Sequence, residues 1–288
     1  MKFTQILLVV ILSAVVSFGV MKFGTQQGAG ASVQETAYQR VLRTGEIQCG
    51  YSVYAPYFTK DATTGQFGGI WHDLMEALGE HLGLKIVWAQ EVGLGEIATA
   101  LDSKRIDVYC GGLWTAGKRV RAVDFLKPSA FEPMLVYVRA DDHRFDNDIT
   151  GLNDPSIKFS SIDGEGGGLT AAEEFPKASL LSLPQMSNYS DMFIQVAEKK
   201  ADAFLAAPSG VAAYMKNNPG VLRPLTAQPV KIMPVALAVR YGEGELRNML
   251  NQAQDDVIYN GQMEKIIAKS EVNKGDFWRI GKPYDINK

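Results

Sequence analysis

The sequence predicts an α/β protein made of two successive α/β units. Strand and helix patterns alternate from residue 47 to residue 110, the mark of a parallel sheet with covering helices. A polar break follows at Asp141-Asp142-His143-Arg144-Phe145-Asp146-Asn147-Asp148. Beyond it a second alternation begins near residue 157.

In chain order, residues 35–43 form a short helix stopped by Gly45, and 47–51 a strand. An aromatic loop with Pro56 leads to a turn-rich hairpin connection at 61–69. Ile70, Leu74, Ala77, Leu78 and Leu82 fall at helical spacing, and Gly83 stops that helix. Residues 85–88 are a strand, 94–103 a helix and 107–110 a strand. Gly111-Gly112 then reads either as a strand end where the backbone can come close to a ligand or as a tight turn, followed by a short helical turn at Arg119 and an extended 123–125. In the second unit, 157–161 is a strand and a helix starts at Leu169, with Thr170 and Glu173 at capping-box spacing. Residues 190–200 are a helix and 203–205 a short buried strand. Residues 235–239 are extended and apolar. Leu246, Met249, Leu250, Ala253 and Val257 share one helical face over 243–259.

The N-terminus is a targeting segment. Lys2 precedes an apolar run from Ile6 to Met21, and residues 1–24 are either a cleaved signal peptide or an uncleaved membrane anchor; both readings stay open. Residues 25–34, rich in Gly, Gln, Ser and Ala, are a linker. The 288 residues carry a net charge of -3, with 46% hydrophobic and 21% charged residues, so the chain lacks the basic excess of a nucleic-acid partner. Three His and two Cys, with no HExxH or CxxC pattern, leave no metal site and no cofactor to expect.

An ordered set of short motifs says more. Arg40-Val41-Leu42-Arg43-Thr44-Gly45 leads into Ile47-Gln48-Cys49-Gly50-Tyr51, then Pro56-Tyr57-Phe58 and Gly68-Gly69-Ile70 with Asp73-Leu74. Leu82-Gly83-Leu84-Lys85, Ile106-Asp107-Val108 and Arg119-Val120-Arg121-Ala122-Val123-Asp124-Phe125 follow. Over residues 36–270 this order resembles family-3 periplasmic solute-binding proteins of the amino-acid ABC transporter type. The resemblance implies a two-lobed periplasmic binding protein fold, with two α/β lobes joined by a two-crossover hinge and the solute clamped between them. Lobe 1 would be 35–140 plus 233–270, lobe 2 would be 141–232, and 271–288 a C-terminal extension.

The same resemblance assigns a site. Arg119, by its spacing to Asp124-Phe125, aligns with the family's carboxylate-binding Arg, whose planar fork suits bidentate pairing. Gly112 matches the glycine whose backbone lines that pocket. Trp114 stands where the family has Ser or Thr, and offers a stacking face instead. Tyr51 stands where some amino-acid binders have an acid, and Ala207 where the family has an Asp for an amino group, so the site looks poor in partners for an ammonium. Tyr51, Tyr54, Tyr57, Trp71 and Trp114 are candidates for aromatic walls or for plain core. Gly166-Gly167-Gly168 is either an anion-binding helix start, with Gly167 as the candidate, or a flexible turn. Cys49 and Cys110 would lie on neighbouring parallel strands, as a disulfide or as two buried thiols.

The expected function is extracytoplasmic capture of a small carboxylate-bearing solute, an amino acid or related organic anion, for delivery to an ABC transporter permease. The expected location is the periplasm, tethered to the membrane if the N-terminal segment is uncleaved. The alternatives are a periplasmic enzyme resembling cyclohexadienyl dehydratases, with Glu165 or Glu173 as acid, and a membrane-tethered ligand sensor. No catalytic residue is assigned in the favoured reading.

Overall fold

The computed structural model describes residues 35–281 apart from 116 and 147. The expected N-terminal segment at 1–24, the linker at 25–34 and the last residues of the C-terminal extension, 282–288, lie outside the described residues. Among the described residues no helix is long and apolar enough to cross a membrane.

The first elements are α1 (Ala37–Thr44), β1 (Glu46–Tyr51), the small hairpin β2 (Thr59–Lys60) and β3 (Phe67–Gly68), and α2 (Ile70–Leu82). Next come β4 (Lys85–Glu91), α3 (Ile97–Asp102), β5 (Val108–Trp114), a 3-10 turn over Gly117–Arg121, and β6 (Val123–Phe125). The long strand β7 (Ala130–Arg139) leads to β8 (Lys158–Ile162), α4 (Gly166–Glu174), β9 (Ser179–Leu183), α5 (Tyr189–Ala197), β10 (Ala203–Ala206), α6 (Pro208–Asn217) and β11 (Leu222–Pro224). A second long strand, β12 (Lys231–Arg240), precedes α7 (Gly244–Tyr259) and α8 (Gln262–Ser270).

The main sheet is continuous in the order β4-β1-β5-β12-β7-β10-β8-β9, with β6 on β12 and β11 on β7. It is mixed: β1 pairs in parallel with β4 and β5, whereas β12 runs antiparallel to both β5 and β7. Two halves follow from the packing. The first has the cores around Trp71, Leu78 and Leu250 on one face and around Tyr109 and Leu101 on the other. The second has the cores around Val136 and Phe159 and around Phe193 and Phe204. β7 and β12 pair through Ala130–Val235 to Met134–Lys231, and there the sheet passes from one half to the other. Met134, Val136 and Val138 already belong to the second core, and Phe145 in the polar break is buried in it too. Residues 271–281 return to the first half, where Phe277 is buried and Trp278 pairs with Phe131 through both backbone hydrogen bonds.

Helix α2 starts and stops where its apolar spacing ends, with Gly83 at φ 64 closing it in the left-handed region. Two expectations give way. β5 runs through Gly111-Gly112 rather than turning there, and its register against β12 slips between Ala236 and Ala238. Gly112, at φ 68, makes the resulting bulge, and any Cβ at that position would overlap Cε2 and Nε1 of Trp71. The cap of α4 is Glu165, whose carboxylate accepts from the amides of Gly167 and Gly168. Thr170 instead donates to the Gly166 carbonyl at 2.9 Å, inside the helix, and Glu173 pairs with Lys231 at 3.1 Å.

Cys49 on β1 and Cys110 on β5 are joined as a disulfide, with Cα atoms 5.5 Å apart and a sequence separation of 61. Both are fully buried in the first core. Closing so long a loop constrains the unfolded chain, so the Cys49→Ser/Cys110→Ser double variant is expected to lose about 2–4 kcal/mol in urea unfolding without reductant. Equal stability of variant and wild type would contradict a structural role for this bridge.

Candidate functional site

A cavity of about 60 Å³ lies where the two halves meet. The first half contributes Ser52, Tyr54, Tyr57, Trp71, Tyr109, Gly112, Trp114 and Arg119 to its wall, and the second contributes Glu165, Gly166, Tyr189, Met192, Ala206 and Ala207. Glu132, on the strand that joins the halves, lines it as well.

Glu132 is 1% exposed. Its Oε1 accepts from the hydroxyl of Tyr57 at 2.6 Å and from that of Ser209 at 2.7 Å. Its Oε2 accepts from the indole N–H of Trp114 at 2.8 Å. Burial pushes this carboxyl above the ordinary range, and the three hydrogen bonds only partly oppose the shift. Glu165 is raised by burial too, against the pull of the α4 amides and of Arg119. Burial also holds the phenols of Tyr54, Tyr57 and Tyr189 well above their usual range, so they stay neutral donors.

Arg119 is the one cation lining the cavity among the described residues. Its guanidinium donates to the Trp114 carbonyl at 3.5 Å and to the Gly164 carbonyl of the second half, leaving further N–H groups of the five for a ligand. The ring of Tyr54 stacks on that of Tyr189 across the cleft, with centroids 3.5 Å apart and planes 5° from parallel. The Tyr54 hydroxyl lies against the Cα of Gly210, where a side chain would collide with it. The Trp114 indole lies in the same way over Gly166. At the floor, Tyr109 donates to Ser52 at 2.9 Å, and burial raises its phenol to about 12.

Of the residues singled out in the sequence, Arg119, Gly112, Trp114 and Tyr54 all line this one cavity, as do Tyr57 and Trp71. Tyr51 does not: its ring stacks on Phe58 at 4.7 Å and packs against Phe67 and Trp88, away from the cleft. Gly167 does not face a solute either, because its amide donates to Glu165 at 2.7 Å, so the chain supplies its own anion there. Glu173 is outside the cavity, in its exposed pair with Lys231. Positions 51 and 207 carry no acid, but Glu132 and Glu165 put two carboxyls into the wall, each held by donors of the chain itself. Glu132, Ser209 and Tyr189 were not singled out. For Glu132 there was a signal, a lone acid inside an otherwise apolar run from 130 to 138.

The model of the bacterial extracellular solute-binding proteins, family 3, matches residues 47–270. The L-arginine-binding protein of Pseudomonas aeruginosa is 23% identical over 236 residues, 77% of this chain and 86% of that protein. The virulence sensor protein BvgS of Bordetella pertussis is 26% identical over 234 residues, 78% of this chain. The match spans only 18% of that sensor's length. Among solved structures, an ancestral amino acid-binding protein described as a precursor of cyclohexadienyl dehydratase superposes with a TM-score of 0.69 at 26% identity, over 82% of this chain and 100% of that one.

The raised carboxyl of Glu132 sets a pH dependence. A carboxyl whose folded pKa lies above its unfolded value favours the fold below about pH 4.5, and that contribution is lost as pH rises through the folded value. The contribution of this one group to the unfolding free energy should therefore fall as pH rises from 4.5 to the folded value, by at most about 1.4 kcal/mol per pH unit. In Glu132→Gln that contribution should be missing, leaving the other carboxyls, among them Glu165, Asp107 and Asp276, which are raised, and Asp73, Asp142 and Glu271, which are lowered and act in the opposite sense. Urea titrations across the range check it, and an unchanged slope in Glu132→Gln would contradict the assignment.

Proposed function

The chain belongs to family 3 of the bacterial extracellular solute-binding proteins, and on that footing we propose that it captures a small carboxylate-bearing solute between two lobes and delivers it to an ABC transporter permease. The observation that carries the reading is Arg119, a guanidinium with spare donors lining a cavity between the halves. A buried carboxylate–guanidinium pair is the strongest anchor this wall offers. The lobes are taken as 35–140 plus 233–270 and 141–232, hinged where β7 and β12 run side by side. The work would be done in the periplasm, with the N-terminal segment exporting or tethering the chain.

Binding is favoured over catalysis by the state of the acids. Both oxygens of Glu165 are held by α4 amides, and both oxygens of Glu132 by neutral donors. Both carboxyls are thus engaged in holding the wall together. A ligand sensor is the second reading, favoured by the 26% identity to a stretch of a virulence sensor. The capture step is common to both readings.

Charge-assisted pairing is worth roughly 1.5–3 kcal/mol, so Arg119→Ala should weaken carboxylate binding about ten- to a hundredfold or more. Titration calorimetry on wild type and variant measures it, with circular dichroism as the check on folding. Unchanged affinity in a folded Arg119→Ala would overturn the anchor.

A further inference from the structure

The chain has four tryptophans, and their indole N–H groups differ in a telling way. Trp88 donates to Glu76 at 2.8 Å and Trp114 donates to Glu132 at 2.8 Å, although both are only partly buried. Trp278 is 40% exposed and within reach of water. Trp71 is fully buried, yet its Nε1 has no hydrogen-bond partner. A buried donor left unpaired is unfavourable, and native structures carry few of them.

Trp71 is not hidden in the core alone, for it also lines the cavity. It is the second residue of α2, whose first amides are already used: Ile70 donates to the Pro56 carbonyl at 3.2 Å and Trp71 to the Tyr57 carbonyl at 2.9 Å. The Gly112 bulge sets the depth of the indole, since the absence of a Cβ there is what admits its Nε1 edge against β5. Neither buried acid of the wall takes this N–H, because Glu132 and Glu165 are held by other donors.

We propose that Trp71 is a specificity-determining residue of the binding site. Its buried indole N–H donates to an oxygen on the carbon beside the solute's carboxylate, so that the site takes small 2-hydroxy- or 2-oxo-carboxylates. The proposal deepens the solute-binding reading and rests on it. An alkyl group at that place leaves the N–H unpaired. An ammonium there meets donor with donor, for it has no lone pair to offer. A hydroxyl or oxo oxygen accepts.

The experiment is titration calorimetry of the full exported chain with four three-carbon probes: lactate, pyruvate, propionate and alanine. Wild type is expected to bind lactate or pyruvate about three- to tenfold more tightly than propionate, the span of one net hydrogen bond, with alanine weaker still. Trp71→Phe keeps an aromatic ring and deletes the N–H. It is expected to bring the lactate-to-propionate ratio close to one while still binding propionate. A purely structural Trp71 would weaken all probes alike and leave the ratio intact, which would overturn the proposal. Tighter binding of alanine than lactate in wild type would also overturn it, as would failure of wild type to bind lactate and pyruvate at all. If Trp71→Phe proves unstable, Trp71→Tyr is read by the same ratio. Loss of all four probes in Arg119→Ala, with the ratio intact in Trp71→Phe, would sink this proposal alone and leave the solute-binding reading standing.

Discussion

The structure turns on one buried carboxylate. Glu132 sits on the strand that crosses between the halves, and a carboxyl so deep in protein is tolerated only where its oxygens are hydrogen-bonded. Its three donors come from three places: Tyr57 before α2, Trp114 at the end of β5, and Ser209 in the first turn of α6. The first two belong to the first half and the third to the second. Parting the halves would strip the Ser209 hydrogen bond from Glu132 and leave the two from the first half.

What closes on Glu132 is built from bare backbone on one side and aromatic rings on the other. Gly166 receives the face of Trp114, and Gly210 receives the hydroxyl of Tyr54. With any larger residue the rings would stand off, and the cavity would open beyond its about 60 Å³. The Tyr54–Tyr189 stack closes the wall between the two halves. The site is narrow because its walls touch, and its polarity is concentrated in Arg119, Trp71 and the two acids.

Much of this was legible in the sequence where local physics decides. Helix α2 runs over its expected residues because its apolar period and Gly83 agree, and Arg119, Gly112, Trp114 and Tyr54 do line one cavity. The rest was set by tertiary contacts. β7 is buried on nearly every residue, so it shows no alternation by which a strand is recognised. Gly111-Gly112 reads as a turn locally but is a bulge, because β12 pairs on both sides of it and Trp71 fills the space above. Glu165 precedes three glycines that suggest an anion site, and the carboxylate beside them takes their amides first. Positions 51 and 207 lack an acid, as the sequence showed, whereas the acids of the wall stand at 132 and 165 and are held by the chain's own donors.

The most direct test is to identify what the protein holds. Protein purified from its native compartment without dialysis would be unfolded, and the released small molecules identified by mass spectrometry against a protein blank. The expected result is a stoichiometric solute that bears a carboxylate. A stoichiometric solute with no acidic group would contradict a cleft that closes on an anion at Arg119.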